Sequence, residues 1–423
     1  MAARSASPNS IGSDVSETWT PKDAAQVEAA VKDALADGRT LELAGSGARR
    51  AFGRPVEADV VLDLSSLGGV IAYQPEELIL AVGPAAPMAE IKAMLAQRGQ
   101  ELAFEPPDFG PLWGLAPGLG TIGGAVMTGR GGPRRLSAGG PRDHALGLKG
   151  VNGFGESFAA GGRVVKNVTG FDVVKLVTGS FGTLCAATEL TLKVLPAAAD
   201  CETLILIGLG DAQAMKVMSR ALGSAAQVSS AAHLPADVAG ASSVSEIAGL
   251  GAAVTLIRLE GVRPSVTARI AHLAEALNDA GAQGVLAKEP SDRIWKEIAD
   301  AAVFAGTDTI VWKLSVPPAQ GAAVGARLAQ ELEGRCFYDW GGGGVWLEIP
   351  EVEDARAEDV RRILKETVGG DGHATLMRAP LAVRATEAPF QPLEPAVAAL
   401  TARIKRQFDP QGIFNPGRMY EGL

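Results

Sequence analysis

Gly118, Gly120 and Gly123 stand at G-x-G-x-x-G spacing within Pro117-Gly118-Leu119-Gly120-Thr121-Ile122-Gly123-Gly124. Glycine at such positions lets backbone N–H groups approach a phosphate, because no Cβ stands in the way. The dinucleotide fingerprint also demands a strand directly before the loop and a helix after it. Here Pro106, Pro107, Pro111 and Pro117 precede the loop, and Gly129, Gly131, Gly132 and Pro133 follow it. That context disfavours a Rossmann site, although Asp143 lies where an acid could meet a ribose. Plain turn chemistry and a backbone cradle for a phosphate or flavin are the other two readings. A second glycine turn, Gly45-Ser46-Gly47, ends an expected strand over 40–44. Two such loops can hold one pyrophosphate through N–H donors. No G-x-x-x-x-G-K-[ST] is present, which argues against a P-loop ATPase.

Other candidates carry less. Arg130, Arg134, Arg135 and Arg142 form a basic cluster in an acidic chain. They read as a solvated loop, as neutralisation of a phosphate or substrate carboxylate, or as docking to an acidic subunit. Asp172 and Glu189 could serve as general bases, or as turn and cap residues. Cys185 reads as a buried small hydrophobe. Met88, Ile91 and Leu95 read as core.

The elements that must position these residues come from periodicity. Val27, Ala30, Val31, Ala34 and Leu35 repeat at helical spacing after Thr20-Pro21-Lys22-Asp23, with Thr20 expected as the cap, and Gly38 ends that helix. Strands are expected over 60–64, 70–73 and 78–82, and a helix over 87–98. From 106 to 162 glycine and proline crowd in and helical periodicity disappears, which predicts a long structured loop. A β-branched strand over 184–194 follows. After Pro196, strands over 204–209, 254–259, 310–316 and 345–349 alternate with helices over 212–222, 266–280, 322–332 and 360–367. That alternation suggests a separate α+β domain. The glycines from 341 to 344 read as a turn between strands, and Val397, Leu400, Ile404 and Phe408 mark a last helix. The boundaries read as a disordered lead-in over 1–16, a first domain over 17–200, a second over 201–385 and a closing segment over 386–423.

Composition bounds the class. Of 423 residues 47% are hydrophobic and 21% charged, which excludes a wholly disordered chain. A net charge of −9 argues against non-specific nucleic-acid binding. Apolar runs fall far short of the ~20 residues of a membrane helix. The polar, Ser-rich N-terminus lacks the apolar core of a secretory signal. Cys185, Cys201 and Cys336 are too few and too scattered for a disulfide framework or for a cysteine-ligated iron–sulfur cluster within this chain.

Taken in order, Ala44-Gly45-Ser46-Gly47, the Pro117 to Gly124 loop, Pro141-Arg142-Asp143-His144-Ala145-Leu146-Gly147, Lys166 to Asp172, Gly179-Ser180-Phe181-Gly182-Thr183-Leu184 and Thr188-Glu189 resemble FAD-binding domains of the vanillyl-alcohol-oxidase type. Phe408-Asp409-Pro410-Gln411-Gly412-Ile413-Phe414-Asn415-Pro416-Gly417-Arg418 resembles the closing segment of FAD-linked oxidases acting on 2-hydroxy acids. The resemblance covers about 20–200 and 390–420, and its specificity lies in the order of the motifs. It implies an α+β fold: a two-subdomain FAD-binding domain, a second α+β cap domain, and a C-terminal helical segment returning to the flavin domain. It implies FAD contacts at Ala44, Gly45, Ser46, Gly47, Ala48, Pro117, Gly118, Thr121, Ile122, Gly123, Gly124, Met127, Lys166, Gly170, Gly179, Ser180, Gly182, Thr188 and Asn415, with the pyrophosphate over both glycine loops. The first loop holds no histidine, so FAD is expected to be non-covalent.

Gly129 to Arg135 and Lys166 to Asp172 are most similar to the FAD-binding subunits of bacterial glycolate oxidases. That similarity implies an FAD-dependent oxidoreductase of the CH–OH group, oxidising glycolate or another 2-hydroxy acid. It implies partners as well, a second, catalytic flavin subunit and an iron–sulfur subunit. The expected location is cytoplasmic, or peripheral at the inner membrane through those partners. A stand-alone oxidoreductase and a non-catalytic assembly subunit are the alternatives. The histidine pair and acid with which hydroxy-acid dehydrogenases of this family hold a metal have no match. Only His373 lies near the expected region, so no metal site and no catalytic residue are assigned.

Overall fold

Three sheets and one two-stranded ribbon organise the chain in a computed structural model that describes residues 17–162 and 171–423. The expected lead-in over 1–16, and Lys166 and Gly170, lie outside those residues.

The first sheet is parallel, with Val60–Asp63 between Glu17–Trp19 and Leu41–Ala44. The helix Ala24–Asp37 covers it with the stripe Val27, Ala30, Val31 and Ala34. Asp23, not Thr20, is the cap: its carboxylate accepts the N–H of Gln26 at 2.9 Å. Pro21 therefore precedes the helix instead of opening it. Gly38, at φ 65°, closes the other end in the left-handed conformation that glycine adopts without steric cost.

The second sheet is antiparallel, in the order Val70–Gln74, Ile79–Val82, Cys185–Lys193, Ala145–Asn152, Ser157–Gly161. Two of these strands, and the helix Ile122–Thr128, fall where 106–162 suggested a long loop. Glycine hides the strand Ala145–Asn152. A Cβ on Gly150 would lie 2.8 Å from the Ala186 carbonyl oxygen, so the neighbouring strand approaches only because the side chain is missing.

The third sheet has eight antiparallel strands built from two consecutive β-α-β-β-α-β units. The units meet where His233 pairs with Tyr338. There Asp211 accepts from the Tyr338 hydroxyl and lies 3.3 Å from His233 Nε2, while His233 Nδ1 lies 2.9 Å from Thr255 Oγ1. His233 is thus part of the seam. The helices Asp211–Leu222, Arg263–Ala276, Gly321–Leu332 and Ala357–Val368 pack on one face. The opposite face carries Phe337, Trp346 and Met377, which meet Phe52, Phe109, Trp113 and Phe181 from the first part of the chain. Along Ile310–Ser315, Trp312 and Leu314 join the helical side and Val311 the opposite side, so strand alternation sends Lys313 toward the first part as well.

The helix Pro395–Phe408 and the segment after it return to the start. Phe414 bridges to Leu41. Buried Lys405 pairs with buried Asp409 at 2.7 Å and donates to the carbonyls of Thr183 and Phe414. Among the described residues no helix is long and apolar enough to cross a membrane.

Candidate functional site

Beyond the strand Leu41–Ala44 the chain borders a cleft of about 900 Å³, part of it open to solvent. Ala44, Gly45, Ser46, Gly47 and Ala48 line it from the first loop. Thr121, Gly123, Gly124 and Met127 line it from the second, and Gly182, Cys185 and Asn415 from the remainder of the chain.

The two glycine loops do different work. The N–H groups of Gly45, Ser46 and Gly47 find no acceptor among the described residues. Those of Ile122, Gly123 and Gly124 are engaged, by Ala86 O at 3.1 Å, Pro84 O at 2.8 Å and Thr121 Oγ1 at 3.2 Å. The first loop thus offers three consecutive donors to a ligand, and from the second loop the N–H of Thr121 also finds no acceptor among the described residues. The second loop provides closeness: a Cβ on Gly123 would lie 2.6 Å from the Pro84 carbonyl oxygen. Asn415 ties the first loop to the Gly182 turn, accepting from Leu43 N–H at 2.8 Å and donating to Phe181 O at 2.7 Å.

Two arginines that the sequence reading passed over also line the cleft. Arg49 donates to Thr128 Oγ1 at 3.1 Å and to Pro107 O at 3.0 Å, and its buried Nε has no partner among the described residues. Arg418 donates to the carbonyls of Arg54 and Arg49 at 3.1 and 2.8 Å. Neither forms an ion pair among the described residues, and burial lowers both guanidinium pKa values to about 10. A buried cation without a carboxylate is costly, and a bound anion offsets that cost. The signal in the sequence was thin: Arg49 follows the glycine turn, but arginines after turns are common surface residues.

Other expected positions lie elsewhere. Pro117 and Gly118 stand outside the cleft wall, with the Gly118 N–H taken by Asp108 at 2.6 Å. Ile122 sits in the core of the second sheet. Thr188 is buried within the strand Cys185–Lys193, and Ser180 is buried with its hydroxyl unpartnered among the described residues. Gly179 lines a neighbouring cavity. Asp172 caps the helix Val173–Val177, and Glu189 pairs with Lys149 at 2.8 Å, so both have structural partners. Burial pushes the Cys185 thiol up to about 12 and keeps it protonated. Burial also lowers the pKa of His144, whose Nε2 lies 2.8 Å from Ala138 O, so this ring stays neutral. His373 is exposed at the start of an edge strand. Among the described residues no group of three His, Cys, Asp or Glu side chains is placed to hold a metal ion.

The basic cluster splits. Arg134 is buried among Glu101, Glu105 and Glu260 at 2.6, 3.2 and 3.4 Å. Glu105 also accepts from Arg258 at 2.7 and 3.1 Å, which joins the loops beside the cleft to the third sheet. Arg130, Arg135 and Arg142 form no ion pair among the described residues, and they line the neighbouring cavity.

A model described as FAD binding domain matches residues 17–161, and one described as the C-terminal domain of FAD linked oxidases matches residues 391–419. Glycolate oxidase subunit GlcE of Escherichia coli (strain K12) is 30% identical over 395 residues, 93% of this chain and 96% of that protein. A D-lactate dehydrogenase of Archaeoglobus fulgidus is 28% identical over 72% of this chain and 70% of its own. The crystal structure of p-cresol methylhydroxylase superposes with a TM-score of 0.71 at 15% identity, covering 96% of this chain and 89% of that one.

Proposed function

The chain belongs to the FAD-linked oxidase family, and we propose that it is the FAD-carrying subunit of a glycolate (2-hydroxy acid) oxidase complex. In this reading glycolate is oxidised to glyoxylate, and electrons pass through the flavin to an iron–sulfur partner subunit, with a second flavin subunit in the complex. The observation that carries it is the cleft. Three consecutive free N–H groups and two guanidinium groups without carboxylates fit a pyrophosphate dianion.

Bound FAD supplies the acceptor for the hydride of the substrate's α-carbon. The chain's own residues bind and orient it. Gly45, Ser46 and Gly47 donate from the backbone, and Arg49 and Arg418 balance charge. Asn415 holds the first loop in place. The segment from Ala44 to Arg50 offers no histidine for a covalent tether, so the hold is non-covalent. Only three cysteines, all buried, leave this chain without a ligand set for a cluster, which favours electron transfer to another subunit. The relative from Escherichia coli is itself named a subunit.

A visible spectrum of the purified full chain, before and after anaerobic glycolate, tests this. A flavin band that heating releases into solution is expected. A chain that takes up no FAD after reconstitution would refute the reading. Bleaching by glycolate would place substrate oxidation on this chain, and an unbleached band would leave it to the assembled complex. Arg49→Met is expected to weaken FAD binding about 10–100-fold, the effect of losing a charge-assisted contact of about 1.5–3 kcal/mol. Titration of the apoprotein with FAD measures it.

A further inference from the structure

The neighbouring cavity, also about 900 Å³, shares Thr128 and Phe181 with the cofactor cleft, so its occupant would lie beside the cofactor. Arg130, Arg135 and Arg142 line it. Arg130 lies over the Phe52 ring at 5.1 Å, and its buried Nε has no partner among the described residues. Arg135 lies 5.3 Å from the centre of the Trp340 ring. The Lys313 ammonium approaches the same indole at 3.9 Å and Trp346 at 4.6 Å, on the sheet face that meets the cofactor side.

None of these four cations has a carboxylate within ion-pair distance among the described residues. Three carboxylates stand nearby, and each already accepts a backbone donor: Asp143 from Gly140 N–H at 2.8 Å, Asp339 from Trp340 N–H at 2.7 Å, and Asp172, which acts on Arg142, from Lys175 N–H at 3.2 Å, with the Lys175 ammonium at 3.0 Å as well. The region is cationic, partly buried and short of negative charge, which is the condition that a bound anion relieves.

We propose that Arg130 and Arg135, with Lys313 behind them, form a seat for the carboxylate of a small hydroxy acid, next to but separate from the pyrophosphate contacts. This rests on the hydroxy-acid reading above and names the residues that would recognise the substrate. A carboxylate is favoured over a second phosphate because the first cleft has its own N–H donors and its own arginines. The seat is also completed from the other side of the molecule, by Thr375, Phe390 and Met419. Lys313 faces Asp339, Arg130 and Arg135; burial and the two arginines favour its neutral form, while Asp339 opposes them. An anion in the seat would restore its proton, so binding should weaken as pH rises.

The test uses the FAD-loaded full chain and oxalate, a carboxylate that cannot be oxidised by hydride loss, with inorganic phosphate in parallel, both read by calorimetry. Oxalate is expected to bind and phosphate to bind more weakly. Arg135→Gln, a change at a solvent-facing side chain, is expected to weaken oxalate at least tenfold with FAD content unchanged. Lys313→Met is expected to flatten the pH dependence. Oxalate that does not bind, that binds Arg135→Gln and Arg130→Gln as it binds the unaltered chain, or that binds less well than phosphate would overturn the proposal. FAD content, measured on the same samples, reports separately on the flavoprotein reading: a chain that takes up no FAD on reconstitution refutes that reading, while its oxalate titration still decides the seat.

Discussion

Replacing Glu105 with alanine is expected to destabilise the chain by about 3–5 kcal/mol, because it strands buried cations. Glu105 accepts from Arg258 through both oxygens, at 2.7 and 3.1 Å, and from the Arg134 backbone N–H at 2.8 Å. Without it, Arg258 retains, among the described residues, only Glu260 at 3.8 Å as an ion-pair partner, and its side chain is 5% exposed. The contact joins the cofactor-side loops to the third sheet, so loss of that junction should precede loss of either part. Urea unfolding followed by tryptophan fluorescence measures the change, and a cost under 1 kcal/mol would show that the network is not needed. Burial alone would raise the Glu105 pKa, but Arg258 and then Arg134 outweigh it and hold it below the ordinary 4.5. The folded-state value is therefore lower than the unfolded one. The stabilisation is complete above about pH 4.5 and is lost as pH falls through the folded value. The alanine variant should lack that part of the acid sensitivity.

Replacing Gly182 with valine is expected to abolish retention of FAD. Gly182 has φ 70°, where a β-branched residue is strained by about 1–2 kcal/mol. Its Cβ would lie 2.8 Å from Asn415 Nδ2. Displacing Asn415 breaks its bonds to Phe181 and Leu43, at about 1–3 kcal/mol for each buried group left unpaired. The first loop then loses its anchor. Gly118→Ala is the contrast: φ is 84°, but nothing lies within 4 Å of the added carbon. That variant should keep its flavin band. Equal loss of the band in both variants would mean that the distinction drawn between the glycines is wrong.

The two glycines also show how far the sequence could be read. Motif order pointed to both loops, and the helix Ala24–Asp37 was legible from its stripe. Nothing local told the ligand-facing N–H groups of Gly45 to Gly47 from the internally engaged ones of Ile122 and Gly123, because the acceptors at Ala86 and Pro84 come from a distant segment. Gly147 and Gly150 concealed a strand by lacking the side chains that strand propensity counts. Lys313 sat inside an expected strand without drawing notice; its burial depends on Trp340 and Trp346, which only the folded sheet brings to it. Arg134 and Arg135 are adjacent, yet among the described residues one is neutralised by three glutamates and the other by none. No spacing rule separates them.

The hydrogen bond from Leu43 to Asn415 spans 372 positions. A ribosome adding about 5–20 residues per second leaves that partner unmade for roughly 20–75 s after Leu43 emerges. Throughout synthesis the glycine loop hangs beside an incomplete wall, and Arg418 arrives later still. Cofactor capture therefore waits until residues 415 and 418 have been made. A polypeptide interrupted before residue 415 should leave the ribosome colourless, however well its first sheets have folded.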